Sequence, residues 1–217
     1  MCFSAAASFT TGAALSAIAV VAQREARAPH QRVFASIPAL FAVQQLAEGA
    51  LWLALNAGTN STAASIFTYV YLSFALVIWP TYGPLSILLF TQGKRAKKTL
   101  LALLLLGIAI STYLLVHMIL FGAEARIEQH HITYLHTVTD FGLGPWLIVI
   151  YGLAAVLPFF VIGDLVFSIY GFLLLLAAAI SAFVWYKWFA SVWCFFAAIL
   201  SLGVVFVLHR ENRTPSL

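Results

Sequence analysis

Charged residues are scarce in this sequence. Aspartate, glutamate, lysine and arginine make up 8% of the 217 residues, whereas hydrophobic residues make up 63% and the mean hydropathy is +1.01. Because a soluble globular domain carries about 25% charged residues, this composition excludes that class. The sequence also lacks internal repeats, low-complexity tracts and any extended hydrophilic domain. Residues 1–217 are therefore predicted to form one all-α, polytopic membrane domain.

Cysteine is scarce as well, since Cys2 and Cys194 are the only two. Two cysteines exclude a disulfide-dense secreted scaffold. Both are predicted near the outer surface of the membrane, where oxidising conditions allow a disulfide between the first and last spans. An inert thiol is the other simple interpretation. A third, ranked below these two, makes Cys2 a nucleophile or a metal ligand.

The chain lacks residues that two known classes of seven-helix membrane protein require. A retinal protein needs a lysine in the middle of its last span, and residues 190–208 contain none. The membrane hydrolases that include alkaline ceramidases use serine, aspartate and three histidines around zinc. This chain has similar residue types but lacks paired histidines in its last span, so only the chemistry is analogous.

Long apolar runs, separated by charge, glycine and proline, predict seven transmembrane helices. A helix needs about 20 apolar residues to cross the hydrocarbon core, and its backbone is satisfied only by internal hydrogen bonds. A six-span alternative merges the fifth and sixth runs into one re-entrant hairpin. Residues 122–144 form the one sizeable loop, predicted outside. The predicted spans are Cys2–Ala22, Val33–Asn56, Ser65–Phe90, Thr99–Phe121, Pro145–Ile162, Leu165–Ala182 and Ala190–Leu208.

The basic residues are distributed unevenly between the two sets of loops. Lysine and arginine in short loops tend to stay on the cytoplasmic side. Only Arg126 and Lys187 fall in the set that contains the large loop, which places the N-terminus outside and the C-terminus inside. The net charge of +4 is then explained by anionic lipid, without a nucleic-acid partner. The nine residues of the opposite set are Arg24, Arg27, Arg32, Lys94, Arg95, Lys97, Lys98, Arg210 and Arg213.

Glu48 is the only charged side chain within the second predicted span. A charge at the centre of a bilayer costs about 2.5–3.5 kcal/mol on insertion scales, so a proton, a hydrogen-bonded partner or a bound cation must compensate it. We predict Glu48 to be the catalytic or central binding residue. Gln45 and Trp52 share its helix face, and Gln44 lies one turn before it.

Polar residues from three other spans are predicted at a similar depth, in the outer half of the membrane. Ser4 and Ser8 lie one turn apart in the first span, Tyr113 lies near the outer end of the fourth, and Cys194 near that of the seventh. Together with Glu48 they predict a polar pocket. For the serines and glutamines, hydrogen bonding between helices is the simpler alternative.

The outer loop adds histidines to this side of the membrane. His136 and Asp140 have a helical i, i+4 spacing, and His131 and His117 are near in sequence. Imidazole and carboxylate are ligands of zinc and other first-row transition metals, which predicts a metal site. No HExxH spacing supports this prediction. A solvated, pH-sensitive loop is the alternative.

The segments Met1–Ala5, Ala7–Phe9 and Gln45–Gly49, with Trp52, resemble an uncharacterised family of small bacterial multi-pass membrane proteins. The resemblance covers roughly the first quarter of the chain in specific residues. It implies a seven-helix protein of a bacterial inner membrane. It also implies that Cys2, Ser4, Ser8, Gln45, Glu48 and Trp52 belong to the distinctive set of the family, and it implies no activity.

Three function classes remain open. The leading hypothesis is an outward-facing pocket that binds a metal or a small polar ligand. As an enzyme, such a pocket would carry out metal-assisted hydrolysis of a lipid or other amphiphile, with Glu48 as proton acceptor. A proton-coupled transporter is disfavoured because the inner halves of the spans contain few polar residues. A pH or metal sensor, or an assembly subunit, would need a protein partner that the sequence does not identify.

Overall fold

The computed structural model describes residues 4–58, 61–135 and 144–213. Within these ranges the chain is a bundle of α-helices with one β-hairpin. A π-helical segment, Ser73–Ile78, joins α4 to α5, and a short 3₁₀ turn, Tyr186–Trp188, precedes α10. The elements in chain order are α1 Ala5–Glu25, α2 Pro29–Ala35, α3 Ile37–Ala57, α4 Thr62–Leu72, α5 Trp79–Phe90, α6 Lys94–Phe121, β1 Glu124–Glu128, β2 His131–Leu135, α7 Gly144–Val156, α8 Pro158–Val161, α9 Leu165–Val184, α10 Phe189–Leu200 and α11 Gly203–Arg213.

Six helical segments in the described residues are long and apolar enough to cross a membrane. The fifth predicted span corresponds to α7 and α8, whose apolar helical stretch Val149–Val161 is shorter than the other six. Two predicted spans are broken: the second begins as α2 and bends at Ser36 before α3, and the seventh divides into α10 and α11. The six long segments are Ala5–Glu25, Pro29–Ala57, Thr62–Phe90, Lys94–Phe121, Leu165–Val184 and Phe189–Arg213.

The bundle has two chemically different ends. We call the end with the β-hairpin the hairpin end. At the opposite end Arg24 lies in the last turn of α1, α6 begins with Lys94 and α11 carries Arg210. We call it the basic end. There the side chain of Asn212 donates to the carbonyl oxygen of Glu25 at 2.7 Å, which joins α11 to the end of α1.

Small residues allow the helices to approach closely. A Cβ atom at Gly107 of α6 would lie 1.9 Å from the carbonyl oxygen of Pro80 in α5, so only glycine fits at this crossing. Between α1 and α3, a Cβ atom at Gly12 would lie 2.8 Å from the Leu46 side chain, and one at Gly49 would lie 3.0 Å from the Phe9 ring. Close approach through small residues is the usual way that membrane helices pack.

The π-helical segment before Pro80 exposes backbone carbonyl groups inside the bundle. Trp79 donates its backbone N–H to Phe74 five residues back, and the next such bond, to Ala75, is impossible because Pro80 has no N–H. The hydroxyl of Tyr151 in α7 donates to the Ala75 carbonyl oxygen at 2.6 Å instead. Tyr151 is thereby fixed against α5, where it lines the cavity described below.

The outer loop contains a β-hairpin, which the sequence analysis did not predict. Glu128 and His131 form the pair next to its two-residue turn. The turn residues Gln129 and His130 have φ angles of 47° and 67°, the left-handed values of a type I′ turn. Asparagine and glycine usually occupy such a turn, so its sequence gave no hairpin signal. The alternating, partly β-branched strands Glu124–Glu128 and His131–Leu135 were the available signal.

Candidate functional site

Glu48 is fully buried near the middle of α3, roughly 13 Å from the Ala57 end by helix rise. Small neighbours, Ala47, Gly49 and Ala50, leave room for other helices to pack around its carboxyl group. α1 packs extensively along this face of α3, because Gly12 and Gly49 permit the close approach. The local sequence therefore buries an acidic group and at the same time brings a second helix to it.

Two serine hydroxyls donate to the Glu48 carboxyl group, one to each oxygen. Ser191 of α10 donates to Oε1 at 2.6 Å, and Ser8 of α1 donates to Oε2 at 3.4 Å. Both serines are 1% exposed. Hydrogen bonds to a carboxyl group offset part of the hydration that burial removes. Glu48 thus connects three helices that are distant in sequence.

Gln44 and Cys194 extend this polar group toward α5. The indole Nε1–H of Trp79 donates to Gln44 Oε1 at 2.7 Å, and this bond fixes the orientation of the amide because an indole N–H can only donate. The Cys194 thiol lies beside the Gln44 amide and the Tyr71 hydroxyl. We call Ser8, Gln44, Glu48, Ser191 and Cys194 the Glu48 cluster.

The β-hairpin covers the cluster on the side of the hairpin end. The Tyr134 ring of β2 stacks on the Tyr71 ring with centroids 4.8 Å apart and planes at 2°. The His131 ring stacks on Trp188 at 4.2 Å, and the Trp188 indole donates to Thr133 Oγ1 at 2.9 Å. Burial lowers the pKa of His131, with a further contribution from His130. Aromatic stacking and one hydrogen bond therefore hold the hairpin against the bundle.

A partly enclosed, almost wholly apolar cavity of about 70 Å³ adjoins the cluster. Its wall includes the rings of Trp79, Tyr151, Trp193 and Tyr170 and the thiol-bearing residue Cys194. Trp79 is hydrogen-bonded to the cluster and Cys194 belongs to it. The cavity therefore meets the polar cluster at these two residues and extends away from it between α5, α7, α9 and α10.

Several buried polar atoms around the cluster have no hydrogen-bond partner among the described residues. They are the side-chain nitrogen atoms of Gln44, Gln45, Trp52 and Trp193 and the side-chain oxygen of Gln45. Each such group costs about 1–3 kcal/mol when it stays unpaired. Gln45 and Trp52 flank Glu48 along α3, one turn to either side. A cluster of unpaired donors beside a buried carboxyl group indicates a place for a polar ligand or ordered water.

The structure separates the sequence-predicted residues into three groups. Ser8, Gln44, Gln45, Trp52 and Cys194 are all buried and lie on α1, α3 and α10. Their role in a pocket stays a prediction.

Three predicted residues lie elsewhere. The Ser4 hydroxyl caps α1 by accepting from the Ala7 N–H at 3.2 Å, and Ser4 is exposed. Tyr113 is 40% exposed on the surface of α6, and the His117 ring, one turn later, stacks on Phe121 at 4.1 Å. The main neighbours of α6 in the bundle are α5, the π-helical segment Ser73–Ile78, α7 and α8, and they do not include α3. The exposed positions of Ser4 and Tyr113 separate them from the buried residues around Glu48.

The metal prediction depends mainly on residues that the structure does not describe. His136, Asp140 and Cys2 lie outside the described residues. Within residues 4–58, 61–135 and 144–213, no group of three or more histidine, cysteine, aspartate or glutamate side chains is close enough to hold a metal ion. His131 lies in the hairpin against Trp188 and His117 lies on α6. A zinc site at the loop stays a prediction.

Among the described residues Cys194 forms no disulfide, and its thiol is buried. Because Cys2 lies outside those residues, a bridge between the two cysteines stays a prediction. The Cys194 side chain points into the bundle, toward Gln44 and Tyr71. Ser191, which makes the shortest bond to Glu48, was missed by the sequence analysis. The available signal was its i, i+3 spacing with Cys194, which places both on one face of α10.

A protein-family model matches residues 1–217. The chain belongs to a family of unknown function, DUF6629. This agrees with the resemblance to an uncharacterised family. No curated protein and no solved structure matches the chain. The DUF6629 assignment carries no activity with it, so any function must be argued from the site itself.

Proposed function

We propose that this protein crosses a bacterial inner membrane seven times and binds an amphiphile. The polar group of the ligand lies at the Glu48 cluster, and its apolar part lies in the adjoining cavity. α7 and α8 together make the remaining crossing. Nine basic residues at the basic end, against Arg126 and Lys187 at the hairpin end, support an N-terminus outside. The cluster then belongs to the outer half of the membrane.

The observation that carries the proposal is the shared boundary between cluster and cavity. Trp79 donates to Gln44 through its indole nitrogen and lines the cavity with its ring. Cys194 lies beside Gln44 and also lines the cavity. A mainly apolar pocket with a few convergent polar groups is the usual form of a small-molecule site. An amphiphile has the same division between a polar and an apolar part.

The test measures amphiphiles that stay bound to the full-length protein. The protein is extracted with its surrounding lipid in polymer-bounded discs, and bound molecules are quantified by mass spectrometry relative to bulk lipid. We expect at least one species to be enriched on the wild type. Glu48→Gln should lower its amount by about tenfold, the effect of losing a hydrogen bond to a charged group. Ala155→Phe, which fills the cavity wall, should remove it as well.

Two matched variants serve as controls. Glu25→Gln makes the same chemical change at the basic end, and Leu153→Phe adds a ring to the exposed side of the helix that carries Ala155. Both should retain the bound species. Wild-type protein without any enriched species would overturn the proposal, and a Glu48-dependent proton flux in vesicles would then favour the transporter. Unchanged binding in Glu48→Gln would remove the role of the carboxyl group.

A further inference from the structure

The start of α6, at the basic end, carries a dense group of positive charges. Four of its first five residues are basic, and all four are exposed. Helical spacing places Lys94 one turn from Lys97 and from Lys98, and like charges at this spacing destabilise a helix. Negative charge close by would remove this repulsion. We call these four residues, Lys94, Arg95, Lys97 and Lys98, the α6 patch.

The described residues around the α6 patch supply no negative charge. In that part of the chain no residue of the patch forms an ion pair. The main neighbours of α6, which are α5, the π-helical segment, α7 and α8, contain no charged residue. Two other carboxyl groups at the basic end have basic partners: Asp164 lies 2.8 Å from the Arg210 guanidinium, and Glu25 lies 3.6 Å from a ring nitrogen of His209. The patch therefore differs from the paired charges beside it.

The α6 patch lies at the level of lipid head groups. The 28 residues of α6 span about 42 Å, whereas the hydrocarbon core of a bilayer is about 30 Å thick. Residues 99–121 contain no lysine, arginine, aspartate or glutamate, and they are long enough to cross this core. The basic residues that precede them place their charges at the membrane surface.

The face of α6 that carries two of these lysines continues as an apolar surface. Lys94 and Lys98 are followed, at spacings of three and four residues, by Leu101, Leu105 and Ile108, so all five lie along one side of the helix. The three apolar residues are 48%, 59% and 43% exposed, so this side is turned away from the bundle. We call Leu101, Leu105 and Ile108 the α6 stripe. Positive charge at head-group level with an apolar surface beneath it matches the two parts of an anionic phospholipid.

We propose that α6 binds an anionic phospholipid on this side. The phosphate group accepts charge-assisted hydrogen bonds from the α6 patch, and an acyl chain lies along the α6 stripe. A second copy of the chain fits this surface less well, because a parallel pair of α6 helices would bring two basic patches together. The site goes beyond the proposed function, since it lies at the end of the bundle opposite the hairpin and does not involve the Glu48 cluster.

The test compares two lipid probes that differ only in the charge of the head group. Full-length protein is placed in phosphatidylcholine nanodiscs with a small share of phosphatidylglycerol or of phosphatidylcholine that carries a photoreactive diazirine on one acyl chain. Peptide mass spectrometry locates the cross-links, and the yield at the α6 stripe is expressed as the ratio of the two probes. Leu175, which is 53% exposed on α9, a helix without basic residues, provides the reference for ordinary lipid contact.

We expect the phosphatidylglycerol probe to label the α6 stripe about tenfold more than the phosphatidylcholine probe, and both to label Leu175 about equally. Each basic residue near a membrane surface contributes about fivefold to the binding of anionic lipid. Replacing Lys94 and Lys98 together by glutamine should therefore lower the preference by about fivefold or more. Replacing both by arginine keeps the charge and should retain the preference.

A matched control removes two other charges from the same end. Arg24 and Arg27 are also exposed, and replacing both by glutamine should leave the preference at the α6 stripe within about twofold of the wild type. Glu48→Gln should leave it unchanged, which separates this lipid from the ligand of the Glu48 cluster.

Three results would overturn the proposal. Equal labelling of the α6 stripe by the two probes in the wild type would mean that the head group is not recognised. An equal loss of preference in the two double glutamine variants would mean that anionic lipid is attracted to the whole basic end and not to this site. Displacement of the phosphatidylglycerol probe by inorganic phosphate, beyond the effect of sodium chloride at equal ionic strength, would assign the α6 patch to free phosphate and not to a lipid.

Discussion

Two buried glutamines, Gln31 near the basic end and Gln45 beside Glu48, show how differently the two halves of the bundle use polar groups. Gln31 accepts from the backbone N–H groups of Arg27 and Ala28 at 2.9 and 3.1 Å, and donates to Asn212 at 3.3 Å. Gln45 is equally buried, yet neither atom of its amide has a partner among the described residues. A satisfied buried amide is explained by the fold alone. An unsatisfied one requires something that the fold does not supply.

The largest contrast is expected when both glutamines are replaced by leucine. Gln31→Leu removes the bonds that cap α2 and leaves Asn212 without its donor, so the free energy of unfolding should fall by about 2–4 kcal/mol. Gln45→Leu removes an amide that is unpaired in the protein alone, so the free energy of unfolding should stay the same or rise by about 1–3 kcal/mol. The measurement is reversible unfolding in mixed micelles by titration with dodecyl sulfate.

For the same two variants, the amount of bound amphiphile should change in the opposite order to the stability. Gln45→Leu should lower the amount of the enriched species, whereas Gln31→Leu, where folded, should keep it. If Gln45→Leu proves as destabilising as Gln31→Leu, the Gln45 amide is paired inside the protein, for example through ordered water, and the contrast between the two halves disappears.

Two serines in the last span allow the same comparison between a residue at the Glu48 cluster and a residue outside it. Ser191 and Ser201 are both buried, and both hydroxyls donate at 2.6 Å, but Ser191 donates to the Glu48 carboxyl group and Ser201 to the backbone carbonyl of Ala198. Ser191→Ala should cost about 1.5–3 kcal/mol and Ser201→Ala about 0.5–1.5 kcal/mol, because bonds to charged groups are stronger. The same unfolding titration measures both. Equal costs would mean that the Glu48 carboxyl is not charged in the resting protein.

Much of the fold follows from hydropathy. The apolar runs mark the six long segments and the α7–α8 region, because a membrane imposes length and composition on any span. The breaks at Ser36 and near Ser201, and the π-helical turn before Pro80, were not visible. Each changes the helix by only a residue or two, and the apolar pattern continues across it. Local hydrogen bonding decides these details, and hydropathy does not record it.

The sequence predicts how far along its helix each residue of the candidate site lies. It does not predict which face of the helix points into the bundle. Glu48, Ser8 and Cys194 were placed at one depth by counting residues along helices, and they do lie together. Tyr113 has a suitable depth too, but its helix turns it to the outside of the bundle. Ser191 was missed since serine is common in such spans as a helix contact. Which face of a helix points inward depends on its packing partners, and one sequence without relatives does not show these.

A small effect is expected when the charge of Asp164, between α8 and α9 at the basic end, is removed. Its carboxyl group accepts from the backbone N–H groups of Val166 and Phe167 and forms two bonds with Arg210, at 2.8 and 2.9 Å. Asp164→Ala removes both the helix cap and the ion pair, and should cost about 0.5–2 kcal/mol. Asp164→Asn keeps a capping residue and should cost less than about 1 kcal/mol, the usual range of an exposed pair.

The pH dependence of stability separates these two contributions. The hydrogen bond from Arg210, assisted by those from Phe167 and Val166, holds the pKa of Asp164 below its usual range, against the opposing effect of burial. A carboxyl group whose pKa is lower in the folded protein stabilises it fully above the unfolded value, and this stabilisation is lost as pH falls through the folded value. The wild type should therefore lose stability below about pH 4, and Asp164→Asn should show a smaller loss over the same range. If the two curves stay parallel down to pH 3, the ion pair does not contribute to the stability of the basic end.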